Sequence, residues 1–337
     1  MANRKLRVAI NGLGRMGRIF LRQNWDNPNL EIVGVQSRSG PDDYAPLIKH
    51  DSAYNDWDKH ISLAKNGIRI GKQMLRFYES EHVSRTLWKE LRVDLVLEST
   101  GVYAHKKDSI RHIRGGAKRV LITAPAKEED QTFVYGVNHE TFDAKKHIVI
   151  SSASCTSTCL ATTMQVAKQF DVARGYLTTV HAYTNDQHLV DSPHKKDPRR
   201  ARAAARSIIP TTTGATRTLE KLLPEFEGKF SGLAYRVPVN TVSLLNLSLE
   251  LRKPTSKEKV NAAFERAVKG KMKGVLDISY EPLVSVDYEG SPYAATIDGL
   301  MTEVVDGKLL NLVVWYDNEW GYIAQISKFI NYISKRV

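Results

Sequence analysis

Residues 6–18 read LRVAINGLGRMGR, and the fold turns on whether this stretch is a strand, a tight turn and a helix start. LRVAI is a short apolar run with the composition of a strand. Gly12, Gly14 and Gly17 follow at once in G-x-G-x-x-G spacing. In that context the first glycine allows the tight turn, the second lets backbone approach a pyrophosphate, and the third lets helix and strand pack closely. Backbone N–H groups at the helix start then face the phosphate charge. A plain glycine turn is the bland alternative, and the strand before and helix after favour dinucleotide binding over it.

Outward from this turn, strand-like apolar runs recur at residues 30–35, 93–100, 118–124 and 147–152, several separated by helix-length polar segments. Near-continuous Val, Ile and Leu marks strands covered on both faces, hence a parallel sheet. The expected fold class is α/β: a Rossmann-type, doubly wound dinucleotide-binding domain over residues 1–152. Beyond it, long β-rich runs at residues 175–184, 231–253 and 308–318 are spaced too widely for short crossovers. They predict an α+β catalytic domain with a large mixed or antiparallel sheet over residues 153–319. In the last segment Ile323, Ile326, Phe329, Ile330 and Ile333 share one helical stripe. A helix over 320–337 is therefore expected to complete the first domain.

The chain has 337 residues, 42% of them hydrophobic, enough for two cores. No run of about 18 apolar residues predicts a membrane span, and the N-terminus lacks the apolar region of a signal peptide. The expected location is cytoplasmic, where two cysteines would be free thiols. A net charge of +12 suits nucleic acid, an anionic surface or phosphorylated small ligands. No nucleic-acid-binding signature accompanies it, so nucleic acid is not expected as the main partner. The basic residues concentrate only at 193–206, with six Lys or Arg against one Asp. That stretch is either a solvated loop leading into a helix or an anion site.

At the end of the second strand, where an acidic residue would take the ribose 2′-hydroxyl of NAD, Gln36 and Ser37 carry no carboxylate and Arg38 follows. An arginine there can pair with a 2′-phosphate, which leans the cofactor toward NADP over NAD.

The only cysteines, Cys155 and Cys159, lie in SSASCTSTCLA, residues 151–161, one helical turn apart. Three readings stand: a metal clip, a packed structural pair, or one working thiol beside a bystander. Metal is the poorest, since no further ligand lies at a familiar spacing. Cys155 stands where a helix should begin, and a helix N-terminus stabilises thiolate. Of ten histidines, His181 alone closes an apolar strand, GYLTTV. That place suits a general base or ion-pair partner, and equally a surface residue.

Together, AINGLGRMGR, SSASCTSTCLA, VHAYTNDQ, RRARAAARSIIPTTTGAT, AYRVPVNTVS and WYDNEWGY resemble the phosphorylating glyceraldehyde-3-phosphate dehydrogenase family, in order and over essentially the whole chain. The resemblance implies Cys155 as nucleophile and His181 as its activating partner. It implies a thiohemiacetal, a hydride passed to NAD(P), and a thioester cleaved by inorganic phosphate to 1,3-bisphosphoglycerate. It assigns Asn11, Gly12, Gly14, Arg15, Met16, Ser37, Arg38, Ser99, Thr100, Thr123, Asn318 and Tyr322 to the cofactor. Two anion pockets follow: Ser154, Thr156, Thr213 and Gly214 in one, and Thr184, Asp186 and Arg200 in the other, with Arg236 between them. The basic stretch resembles the family's S-shaped loop between subunits, which implies a homotetramer.

The physics of these residues is compatible: the TTTGAT turn places hydroxyls and N–H groups ahead of a helix, and Arg236 in an apolar strand calls for an anion. Helix capping is the bland reading of the threonines. The sequence departs from the family's SNASCTTNCLAP at Ser152, Ser157, Thr158 and Thr162. Thr158 replaces an Asn that shapes the turn near the nicotinamide. The rival functions are an erythrose-4-phosphate dehydrogenase-like enzyme using water, a relative using arsenate, and a catalytically impaired nucleic-acid-binding or scaffold protein of the same fold.

Overall fold

The computed structural model describes residues 4–83 and 87–337. The chain divides into two compact units, Met1–Ala153 with Ile326–Val337, and Ser154–Gln325. The division falls inside the C-terminal helix Trp320–Ser334, so its first turn and a half belongs to the second unit.

In the first unit, the Leu6–Asn11 strand pairs in parallel with Leu30–Ser37 on one side and Leu95–Glu98 on the other. Arg119–Ile122, Val149–Ser151 and Gln131–Thr132 extend the sheet beyond Leu95–Glu98, all parallel. Val8, Ala9, Ile10, Leu95, Val96, Leu97, Val120 and Leu121 are wholly buried, as strands covered on both faces must be. At the other edge the sheet changes character. Gln73–Glu79 is parallel to Leu30–Ser37, but Gly67–Ile70 and Ile61–Ala64 fold back antiparallel through tight turns. Tight turns of this length can only join antiparallel neighbours.

The order of the central strands puts a topological switch at Leu6–Asn11, since the chain leaves it toward Leu30–Ser37 and returns on its other side. The carboxyl ends of strands at such a switch form a ligand crevice. The C-terminal helix closes the first unit: Phe329, Ile330 and Ile333 are buried, and the Phe329 ring lies 4.9 Å from Phe133 and 6.0 Å from Phe142.

The second unit is built on a mixed sheet. Val172–Ala182 runs parallel to Phe230–Val237 and antiparallel to Ser243–Leu251, which pairs with Leu309–Tyr316. Ile209–Thr212 forms one edge; Ala295–Asp298 and Leu276–Ser279 form the other. Leu245, Leu247, Leu249 and Leu251 alternate onto the covered face. The helix Cys155–Ala167 is buried along 11 of its 13 residues. Its Ser, Thr, Ala and Cys side chains are small enough for close neighbours on every side. The basic stretch 193–206 does not lead into a long helix: only a short turn, Pro198–Ala201, forms there, and Arg200 and Arg202 pair with Asp186 and Asp191.

Truncating Phe329 to Ala removes a ring held by two others, and a cavity there costs about 3–5 kcal/mol. Urea denaturation followed by the fluorescence of the first unit's tryptophans checks it.

Candidate active site

The nucleotide turn has the geometry its spacing demands. Gly12 adopts φ +93°, its N–H donates to the Gln36 carbonyl at 2.8 Å, and an added Cβ would lie 2.8 Å from Thr100 Cγ2. At Gly17 a Cβ would lie 2.2 Å from the Gly12 carbonyl oxygen, so only glycine lets the helix approach the turn. Gly14 precedes the helix Arg15–Asn24 with no side-chain cap, and above it there is open space. A helix start without a side-chain cap, beside open space, fits a pyrophosphate. The Arg15 side chain is not part of this opening: it donates to Asp51 at 2.6 Å and lies over Tyr54.

Ser99 and Thr100 brace the turn from the neighbouring strand. Ser99 Oγ donates to the Gly12 carbonyl at 2.6 Å, Thr100 N–H donates to Glu98 at 2.8 Å, and Thr123 N–H donates to the Glu98 carbonyl at 2.9 Å. At the tip of the second strand Ser37 is buried and shares a 2.8 Å hydrogen bond with the Tyr44 hydroxyl. Arg38 is exposed.

In the second unit Cys155 opens its helix directly after the N-cap Ser154, whose Oγ accepts from Ser157 N–H at 3.2 Å. Its Sγ lies 3.5 Å from His181 Nε2. His181 comes from the end of Val172–Ala182 and is 4% exposed. Burial, and then the Arg236 guanidinium, lower its pKa to about 3, so the imidazole is neutral at ordinary pH. Burial pushes the Cys155 thiol up, and Arg236 opposes that shift. Burial thus favours the uncharged form of both groups, while Arg236 favours the thiolate. Desolvation thus works against the thiolate stabilisation expected from the helix terminus. Cys159, wholly buried with its thiol pushed well above its ordinary range, is inert packing. Among the described residues no group of three or more His, Cys, Asp or Glu is placed to hold a metal ion.

Some expected anion ligands are side chains already engaged elsewhere. Thr156 Oγ1 shares a hydrogen bond with the buried Tyr316 hydroxyl at 3.0 Å, and that hydroxyl meets Thr179 Oγ1 at 2.9 Å. Ser154 is taken up by capping, so both residues offer backbone rather than hydroxyl. Thr213 Oγ1 accepts from Ala215 N–H at 3.2 Å, and Gly214 beside it borders open space at the start of Ala215–Leu222. Asp186 and Arg200 are ion-paired, and Arg200 Nε donates to Thr211 at 3.0 Å. Thr184 lies two residues before Asp186 and accepts from Gln187 N–H at 2.9 Å through its carbonyl. Arg236 faces His181 across paired strands, and its Nε is buried with no partner.

Asn318 is buried and accepts from Ser243 Oγ at 2.9 Å; Ser243 Oγ in turn accepts from Ala182 N–H at 3.1 Å. Asn318 is thus tied to the residue after His181 instead of bonding only its own turn. Tyr322, four residues on, is buried in the C-terminal helix. Ser243 and Tyr316 are the site residues the sequence reading did not single out, although both lie inside motifs it quoted.

Two family models cover most of the chain: glyceraldehyde 3-phosphate dehydrogenase, NAD binding domain, over residues 6–106, and its C-terminal domain over residues 154–318. The chain is 44% identical over 334 residues to glyceraldehyde-3-phosphate dehydrogenase 2 of Bacillus subtilis, covering 99% of this chain and 98% of that protein. It is 46% identical over 332 residues to the glyceraldehyde-3-phosphate dehydrogenase of Geobacillus stearothermophilus, covering 98% and 99%.

A histidine with a folded pKa of about 3 against an ordinary 6.5 binds its proton only in the unfolded chain as pH falls between those values. Stability is then lost on acidification, by up to about 1.4 kcal/mol per pH unit from this group. His181→Gln should lose less stability than the parent between about pH 6 and about pH 4, as measured by urea titration at each pH.

Proposed function

The chain belongs to the glyceraldehyde-3-phosphate dehydrogenase family, and from that premise we propose that Cys155 and His181 carry a phosphorylating, NAD(P)-dependent oxidation of glyceraldehyde 3-phosphate. The observation that supports this reading most directly is a partly accessible thiol 3.5 Å from the Nε2 of a neutral imidazole. A neutral imidazole can take the thiol proton as sulfur attacks the aldehyde carbon. The oxyanion that forms is met by the unpaired N–H groups at the start of the Cys155–Ala167 helix. His181 returns its proton to that oxygen, giving a thiohemiacetal, and takes it back as the carbon is oxidised. When bound, NAD(P) supplies the hydride acceptor. The thioester left on Cys155 is cleaved by inorganic phosphate, which releases 1,3-bisphosphoglycerate while His181 returns its proton to the leaving sulfur; every step is reversible.

Two cationic side chains serve the anions, Arg200 braced by Asp186 and Arg236 without a carboxylate partner. The open turn at Thr213 and Gly214 supplies N–H donors, and its retention goes with phosphate as acceptor. Asn318, fixed by Ser243, takes the nicotinamide amide, and Tyr322 lines the same region. In the first unit the N–H groups after Gly14 hold the pyrophosphate, with Asn11, Gly12, Ser99, Thr100 and Thr123 shaping the crevice. Ser37 offers no carboxylate to repel a 2′-phosphate, and the exposed Arg38 can pair with one, so the cofactor preference leans to NADP.

A homotetramer goes with this reading. In the second unit Tyr176 and Leu309 on strands and Leu300 and Met301 in the turn after Ala295–Asp298 are exposed, apolar surface suited to a second copy. No helix among the described residues is long and apolar enough to cross a membrane, and two unpaired thiols suit the cytoplasm.

Steady-state rates with glyceraldehyde 3-phosphate and with erythrose 4-phosphate, in NAD and NADP and with and without phosphate, check substrate, cofactor and acceptor together. Activity that ignores added phosphate would overturn the acceptor. His181→Asn should lower kcat by about 10²–10⁴-fold, and Cys155→Ser should remove turnover. Ser37→Asp should raise the NADP KM at least about tenfold, through like-charge repulsion of about 1.4 kcal/mol or more, and leave the NAD KM within a few-fold.

A further inference from the structure

The net charge of +12 is not absorbed by the active site, and the first unit has a place for part of it. A groove of about 700 Å³, inside the roughly 300–1,000 Å³ of small-molecule sites, opens where the parallel strands begin, at the end opposite the nucleotide turn. Residues just ahead of or early in Leu6–Asn11, Leu30–Ser37 and Gln73–Glu79 line it, together with those that end the single-turn helix Leu87–Glu90. None of these residues holds the cofactor or the substrate anions.

The lining is cationic. Arg4, Lys5, Arg7, Arg76 and Arg92 stand there against Glu31 and Glu90. Two of the cations are already neutralised: Arg4 pairs with Asp94 at 2.6 Å and Arg7 with Glu31 at 2.7 Å. Arg7 Nε also donates to the Leu91 carbonyl at 3.1 Å, which braces that wall. Lys5, Arg76 and Arg92 are exposed and make no side-chain hydrogen bond or ion pair among the described residues.

Arg92 is held there against its own backbone preference. Its φ is +49°, in the left-handed region where a Cβ crowds the following carbonyl and glycine is the usual choice. The Arg92 N–H donates to the Lys89 carbonyl at 3.0 Å and the Val93 N–H to the Trp88 carbonyl at 2.9 Å, the two bonds of a Schellman termination. The helix they end is one turn long, so its dipole offers a cation little in return. A cation needed only for solubility could stand at any exposed position without this strain. Residues kept at such angles gather at ligand sites, and Arg92 lines the groove.

Two guanidiniums offer planar forks that take phosphate oxygens in pairs, and Lys5 adds a point charge. One phosphate would leave three cations partly uncompensated; several linked phosphates match them. The lining holds no aromatic ring for bases to stack on, which sets it against a nucleic-acid strand. We propose that this groove is an anion site for a triphosphate group, carried by a nucleoside triphosphate or by a short inorganic polyphosphate, with Lys5, Arg76 and Arg92 as its ligands. Met74, 40% exposed in the same lining, gives a nucleoside an apolar surface to lie on. The site lies wholly within the first unit and does not depend on the reading of Cys155 and His181.

The test uses the full-length protein with NADP and inorganic phosphate saturating, so that the cofactor crevice and the substrate anion pockets are filled. Calorimetric titration with inorganic tripolyphosphate should show one saturable site per chain. Arg76→Gln and Arg92→Gly should each weaken it about tenfold, the loss of one charge-assisted contact. ATP separates the sources: tighter binding than tripolyphosphate assigns the site to nucleotides, and equal or weaker binding assigns it to inorganic polyphosphate. Arg92→Gly gives the sharper reading, because it removes the strain together with the cation. Its melting temperature without ligand should rise by about 2–4 °C while tripolyphosphate binding falls. A fall in both would make Arg92 a structural residue and overturn the proposal, as would parent-like binding in both variants. A single-stranded oligonucleotide that binds more tightly than tripolyphosphate, and is weakened by the same variants, would replace it with a nucleic-acid surface. Both variants should keep the parent's kcat and NADP KM, so failure here leaves the catalytic reading standing, and a parent without dehydrogenase activity leaves the groove standing.

Discussion

The second unit is organised by one strand register. Val172–Ala182 and Phe230–Val237 lie parallel with His181 opposite Arg236, so an imidazole and a guanidinium are neighbours on the same face of a buried sheet. Burying a cation without a carboxylate costs several kcal/mol unless something anionic meets it. The register holds that cost in place, because a slip of one residue would send every side chain of the strand to the other face. This adjacency adds to the larger effect of burial in lowering the His181 pKa, pulls the Cys155 thiol down against its own burial, and calls for an anion at this spot.

The altered residues around Cys155 are accommodated unevenly. Ser157 shares a 2.8 Å hydrogen bond with the N-cap Ser154, so the change reinforces the helix start that carries the nucleophile. Ser152 donates to the Ile122 carbonyl at 3.1 Å and is equally satisfied. Thr162 is different: its hydroxyl is buried with no partner, a cost of about 1–3 kcal/mol. The adjacent Thr163 donates back to the Cys159 carbonyl at 2.9 Å, which shows that the same turn can satisfy a hydroxyl and that Thr162 points the wrong way to use it. Nothing in the structure explains Thr158, buried within the helix, in terms of a hydrogen bond of its own side chain.

What was legible in the sequence was what depends on local pattern. The glycine spacing at 12, 14 and 17 specifies a turn because each glycine meets a steric limit within a few residues of itself. The apolar stripe of the last helix specifies a buried face, as Phe329 against Phe133 shows. The edge hairpins over residues 61–79 were illegible because their strands are short, partly exposed and polar, with no alternation strong enough to mark them. Side-chain direction was illegible as well. Spacing brings Thr156 beside Cys155, but only the long-range approach of Tyr316 turns its hydroxyl inward. The basic stretch 193–206 read as a solvated loop leading into a helix or as an anion site, and Arg200 and Arg202 within it pair with Asp186 and Asp191, contacts that no local window ranks.

The two buried histidines of the chain's polar networks make an instructive contrast. Trp88 Nε1 donates to His112 Nδ1 at 3.0 Å, and an indole N–H has no other role. His112 must then carry its proton on Nε2, which donates to Glu98 at 2.9 Å. Glu98 also accepts from Asn11 Nδ2 at 2.6 Å, from Thr100 N–H and from the Thr100 hydroxyl. Every donor there has one acceptor and the tautomer is unique, so the strand ends that shape the nucleotide turn are locked together. At His181 the same ring faces one neighbour that only donates and one that only accepts, both at Nδ1. A saturated network holds a turn still for a cofactor that binds and leaves unchanged in outline.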